Sequence, residues 1–103
     1  MLYRAAQEAL TNSLRHGRAR EVMITLQRHG DTVRLCVADD GVGFAVPARL
    51  DELAQRGHLG LAGLRQRVRY SGGRLAVSST PGRGTTVRVD LPLDLRERVE
   101  ARA

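Results

Sequence analysis

Apolar residues recur every three or four positions at the start of the chain. Leu2, Ala5, Ala6, Ala9, Leu10 and Leu14 share one side of a helix expected over residues 2–16, which Gly17 stops. The period then drops to two. Val22, Ile24 and Leu26 line one side of Glu21–Gln27, and Val33, Leu35 and Val37 one side of Thr32–Ala38. With His29-Gly30-Asp31 between them, the two runs predict a hairpin. One apolar side and one mostly polar side suit an antiparallel sheet covered on a single face.

From Asp39 to Gly60 neither period holds, apart from a loose helical piece expected within Ala48–Arg56. About twenty residues without clear order in a small domain point to a functional loop or lid. Leu61, Leu64 and Val68 restore the helical period up to Ser71-Gly72-Gly73. Leu75–Ser79 and Thr85–Leu91 alternate again, joined by the turn Thr80-Pro81-Gly82-Arg83-Gly84. The expected order is helix, hairpin, lid, helix, hairpin. That order makes an α+β two-layer sandwich, a mainly antiparallel sheet with helices on one face, over residues 1–93. A charged tail is expected at 94–103.

Composition narrows the function. At 103 residues, 42% of them hydrophobic, the chain supports one modest core. No apolar run approaches the length of a membrane span, and the amphipathic start is unlike a signal peptide. Cys36 is the single cysteine, which excludes an internal disulfide and a multi-cysteine zinc site and fits a reducing cytoplasm. The net charge of +6 comes entirely from arginine against acid, because there is no lysine. A phosphate loop ending in Gly-Lys and a Schiff-base lysine are therefore excluded. The arginines are spread along the chain and only three aromatics are present, so solvated faces explain the charge better than nucleic acid does.

Four stretches carry candidate chemistry. Glu8 and Asn12 stand one turn apart on the first helix, and Arg15 and His16 extend their surface. An amide oxygen suits Mg²⁺, which keeps its waters and takes few protein ligands. A carboxylate one turn back can hold a metal-bound water or act as a base, and the same pair also fits a solvated helix face. Asp39-Asp40-Gly41-Val42-Gly43 follows a strand end, where a carboxylate can accept from the 6-amino group of adenine. Gly41 and Gly43 would admit backbone close to a flat ring, and a plain turn reads the same way. Gly57-His58-Leu59-Gly60-Leu61-Ala62-Gly63 opens the second helix, where free N–H groups favour an anion; it is equally an ordinary flexible joint. Gly82-Arg83-Gly84-Thr85 is a hairpin turn that would bring the Thr85 hydroxyl beside the Asp39 carboxylate. In order and spacing, these are the parts of one nucleotide site.

The sequence resembles the ATP-binding catalytic domain of two-component sensor histidine kinases, of the GHKL superfamily and its Bergerat fold. QEALTNSLRH is similar to that family's asparagine box, DDGVGF to its first glycine box, GHLGLAGLRQRV to its second, and PGRGTTVRVDLP to its closing segment. The wording most resembles the nitrate- and desaturase-sensor subfamily. The resemblance implies that Asn12 coordinates Mg²⁺, with Glu8 beside the metal and its waters. Arg15 and His16 would lie near the phosphates, and Asp39 would bind the adenine amino group. Gly41 and Gly43 would line the base pocket. Gly60, Leu61 and Gly63 would form the phosphate end of the ATP lid, and Thr85 would support Asp39 through a water.

The implied activity is that of the ATP-binding portion of a cytoplasmic protein histidine kinase. Its partners would be a dimerisation domain bearing the phosphoacceptor histidine, and a response regulator; neither nucleic acid nor a membrane would be contacted directly. The family's domain ordinarily has a strand before the asparagine box, whereas this chain starts inside that helix, so the first strand is expected to be missing. His16, His29 and His58 are not followed by an acid on a long helix, so autophosphorylation by this chain alone is not expected. Two rivals share the fold: an anti-sigma-type serine kinase using Glu8 as base, and an interaction module that no longer uses nucleotide.

Overall fold

The computed structural model describes residues 1–93, and the tail expected at 94–103 lies outside them. Helix α1 (Leu2–Thr11) runs into a π-helical turn at Asn12–His16. Strands β1 (Val22–His29) and β2 (Thr32–Asp39) follow, then a 3₁₀ turn at Leu50–Glu52, helix α2 (Leu59–Tyr70), and strands β3 (Arg74–Ser79) and β4 (Thr85–Pro92). The four strands form one antiparallel sheet in the order β1-β2-β4-β3.

The alternation read from the sequence decides which side chains enter the core. Leu35 and Val37 of β2, Leu75 of β3, and Val87, Val89 and Leu91 of β4 are buried against the helices. From above, Ala5 and Ala9 of α1 and Leu61, Leu64 and Val68 of α2 close on them. Ala5 and Ala9 carry no more than a methyl group, so α1 can lie close to the sheet. On the other face Arg34 donates to its cross-strand partner Asp90 at 2.8 Å, and Arg88 lies 3.6 Å from the same carboxylate. That hydrogen bond and the charge of Asp90 raise the Arg34 pKa.

Three expectations change. The helix expected over 2–16 does not stay α-helical: from Asn12 it widens, and the Gly17 amide reaches back five residues to the Asn12 carbonyl at 2.9 Å. The helical piece expected at Ala48–Arg56 contracts to one 3₁₀ turn followed by turns. The lid is also anchored. Leu53 is fully buried, and the Phe44 and His58 rings stack with centroids 4.0 Å apart and planes inclined by 28°. A single apolar residue of the right size ties down a segment that periodicity alone reads as loose.

Candidate functional site

Asp39 ends β2 on the same side as Leu35 and Val37, so its carboxylate turns toward the helix layer rather than solvent. Three donors meet it there. The Ser13 hydroxyl stands 2.7 Å from Oδ2, the Gly41 amide 2.8 Å from Oδ1, and the Thr85 amide 3.2 Å from Oδ1. Three separated segments, α1's extension, the loop after β2 and the start of β4, therefore converge on one carboxyl group. A carboxylate offers about four acceptor positions. With two taken on Oδ1 and one on Oδ2, one on Oδ2 is left for an incoming donor.

The glycines around this corner are set by close approach. A Cβ on Gly41 would stand 2.2 Å from the Gly17 carbonyl oxygen, and the carbonyl of Gly17 in turn accepts from the Val42 amide. Gly84 has φ +79°, and a Cβ there would meet the Asp39 carbonyl at 2.0 Å. Gly43 has φ +66° and is packed in the same way against the Thr80 carbonyl. Asp40 faces away and accepts from the Glu21 and Arg20 amides at 3.0 and 2.9 Å, which pull its pKa down.

Thr85 reaches Asp39 by its backbone amide, whereas the sequence reading has its hydroxyl there. The hydroxyl instead lies 2.9 Å from Ser79 Oγ, which donates to the Gly84 carbonyl and accepts from the Phe44 amide, each at 2.8 Å. Ser13 is the residue that sequence reasoning missed. A signal was present: Ser13 continues the buried positions Ala5 and Ala9 at four-residue steps. A hydroxyl on a buried stripe needs a partner.

A second cluster forms where α1 faces the start of α2. A Cβ on Gly60 would stand 3.2 Å from Glu8 Oε2, and Glu8 Oε1 lies 3.7 Å from an Arg67 nitrogen. Asn12 follows Glu8 by one turn and adjoins Ser13, so it lies between Glu8 and the Asp39 corner along the helix. His16 is close enough to His58 to lower the latter's pKa, after the larger effect of burial. Arg15 and His16 are exposed. His58 caps α2 without a side-chain hydrogen bond, which leaves the amides of the first turn for a ligand. Gly63 sits one turn into α2, near the Arg67 side chain. Leu61, expected both on the apolar face of α2 and at the phosphate end of the lid, has its side chain sunk in the core and leaves only main-chain atoms to a ligand.

Among the described residues no three His, Cys, Asp or Glu side chains come together as a metal cage. A divalent ion at Glu8 and Asn12 would thus draw on one or two protein oxygens and on its ligand's own, which is the habit of Mg²⁺. No described helix is long and apolar enough to cross a membrane.

Comparison with known proteins bears on the family and the fold. The family model for histidine kinase-, DNA gyrase B-, and HSP90-like ATPases matches residues 1–95. An uncharacterized sensor-like histidine kinase of Chloroflexus aurantiacus is 36% identical over 94 residues, covering 90% of this chain. The histidine kinase domain of a blue-light activated histidine kinase from Erythrobacter litoralis superposes on 95% of the chain, with TM-score 0.68 and 30% identity. The ATP-binding domain of PrrB from Mycobacterium tuberculosis superposes on 87%, with TM-score 0.69 and 26% identity. The chain spans 16% of the length of the Chloroflexus protein, and 46% and 65% of the two structures.

Proposed function

The chain belongs to the family of histidine kinase-, DNA gyrase B- and HSP90-like ATPases, and on that premise we propose that it binds ATP with Mg²⁺ and presents the γ-phosphoryl group to a histidine. That histidine would belong to a dimerisation domain, and the phosphoryl group would pass on to a response regulator in the cytoplasm. One observation carries the reading: Asp39 has three of its acceptor positions filled and one left. A group fixed in this way selects a donor at one point, which the 6-amino group of adenine supplies and the 6-oxo group of guanine does not. The rejected base would leave a desolvated carboxylate facing an oxygen, and polar mismatch of that kind discriminates strongly.

At the other end the uncapped start of α2 offers amides to phosphate, while Glu8 already stands beside them. A carboxylate and a triphosphate at the same place repel unless a cation lies between them. Asn12 and Glu8 would hold Mg²⁺ there, and the ion would supply charge neutralisation of the phosphates. The protein's remaining work is to position and to exclude water. Asp39 orients the base, the α2 amides and Arg15 with His16 receive the phosphates, and the Phe44–His58 stack holds the lid against the site.

Calorimetric titration with ATP and with GTP, each with Mg²⁺, tests this reading. Heat from ATP alone is expected, and Asp39→Asn should weaken ATP by about 10- to 100-fold, the loss of one bond to a charged group. Equal affinity of the variant and the parent would refute the assignment. Labelled ATP with an added histidine-bearing domain then reads the transfer, since phosphohistidine is acid-labile and phosphoserine is not.

A further inference from the structure

Two stripes run along α2. Leu61, Leu64 and Val68 form the buried one. Beside it Gly60, Gly63 and Arg67 follow one another at steps of three and four residues, so they share a lane on the helix surface. The glycines leave that lane without side chains, and Arg67 reaches into it. A helical side chain leans back over the turn before its own Cα, which sends the guanidinium toward Gly63. A Cβ on Gly63 would stand 3.5 Å from Arg67 Nη2, and the same nitrogen lies 3.7 Å from Glu8 Oε1. The other oxygen, Oε2, faces Gly60, where a Cβ would meet it at 3.2 Å. Glu8 therefore lies along the lane, with one oxygen toward Arg67 and one toward the first turn of α2.

The arrangement does little for the fold. Arg67 Nε is buried and has no hydrogen-bond partner among the described residues, which costs stability rather than adding to it. The ion pair is end-on, through one nitrogen, and both side chains are more than one-third exposed. What it does is fix a carboxylate. A glutamate on an open helix face turns about several side-chain bonds, and a ligand that needs it in one place must offset that freedom. Arg67 restrains Glu8 by one oxygen and leaves the other directed at the start of α2.

We propose that Arg67 is a positioning residue for Glu8: it sets the carboxylate where a Mg²⁺ ion held with ATP can use it, without itself touching the nucleotide. This role rests on the nucleotide reading, and it carries a sign that charge alone does not. Removing a positive charge from beside a cation site lets the cation bind more tightly. Removing the restraint on the cation's ligand makes it bind less tightly. Positioning is expected to win, because the Arg67 side chain is 41% exposed and its charge is screened accordingly.

Calorimetric titration with ATP at a series of Mg²⁺ concentrations gives the Mg²⁺ midpoint, where half of the metal-dependent gain in affinity is reached. Arg67→Met keeps the stem and removes the guanidinium. It should raise the midpoint about fivefold, with the circular dichroism spectrum of the parent. Arg67→Lys should stay within about twofold of the parent, since the pair uses a single nitrogen. In a Glu8→Gln background, Arg67→Met should raise the midpoint no further. Without metal or nucleotide, the Glu8 carboxyl carbon should move in the NMR spectrum of Arg67→Met. A midpoint that falls or stays put, a rise that persists beside Glu8→Gln, a lysine variant no better than methionine, or an unmoved Glu8 resonance would each overturn the proposal. Should Arg67→Met lose the parent's spectrum, Arg67→Gln takes its place in both backgrounds. A parent that shows no Mg²⁺-dependent ATP binding would sink the nucleotide reading and this role together, whereas a responsive parent beside an indifferent Arg67→Met sinks the role alone.

Discussion

The two ends of the candidate site are built by opposite means. Around Asp39 the main chain itself makes the geometry: amides of Gly41 and Thr85, the Ser13 hydroxyl, and glycines packed where no Cβ fits. Around Glu8 the groups are tips of half-exposed side chains, joined by a 3.7 Å ion pair and set against a helix start with no side-chain cap. The first end is complete before any ligand arrives. The second has fixed dipoles and an acidic group that need opposite charges to complete them. A base can thus be selected by a rigid corner while the phosphates are received by an adjustable one, and disturbing each end should have a different signature.

The largest effect is expected where main chain touches main chain. Gly84→Ala combines a left-handed backbone with a Cβ at 2.0 Å from the Asp39 carbonyl. It should cost about 2–4 kcal/mol in urea unfolding and abolish ATP binding. Gly82→Ala has a similar φ of +81° but nothing within 4 Å, so it should lose only about 1 kcal/mol and keep the site. If the two variants behave alike, the rigid corner is not set by close packing.

Ser13→Ala should come next. It removes one bond to the Asp39 carboxylate from a buried position, at about 1–2 kcal/mol of stability, and frees the carboxylate to turn. Discrimination of ATP from GTP is expected to fall more than ATP affinity does, which competitive titration measures.

At the other end, Glu8→Gln should leave the unfolding free energy within about 0.5 kcal/mol, because the pair with Arg67 is more than one-third exposed on both sides. Its effect should appear in the Mg²⁺ dependence of ATP affinity. A large stability loss would show that this end is structural after all.

The smallest effect concerns the lid. Burial, and then His16, hold the His58 pKa below its ordinary value, so the folded chain keeps that ring neutral where the unfolded chain would protonate it. Its contribution is full above the ordinary histidine range near 6.5 and declines as pH falls below it toward the depressed folded value. A ring-proton NMR titration should show His58 titrating below the ordinary histidine range. Replacing His16 by Ala should move His58 only part of the way back, because burial is the larger cause.

These contrasts also explain what the amino-acid order could reveal. Every strand was legible to within one or two residues, because a half-covered sheet imposes a two-residue period, and Leu61, Leu64 and Val68 announced α2. Asp39 and the glycines were legible as a set, since a loop that must approach main chain has few residues to choose from. Ser13 was hidden because a single hydroxyl on a helix reads as neutral until its neighbours at four-residue steps are seen to be buried. Leu53 and the Phe44–His58 stack were hidden because they join residues far apart in sequence without any repeat. Alternation told which side of β1 faces the helices and nothing about whether a helix lies over it.

The wide turn at Asn12–His16 has one more consequence. It takes up an extra residue before the chain leaves for β1, and thereby sets the rotational phase at which Gly17 presents its carbonyl to Val42 and Ser13 presents its own to Ala19. Excising one residue from 14–16 would let ordinary α-helical bonding close the gap, yet it would swing both carbonyls away from their amides. Length in this stretch therefore matters more than side-chain identity, and shortening by a single position should leave α1 wound while the corner beneath it comes apart.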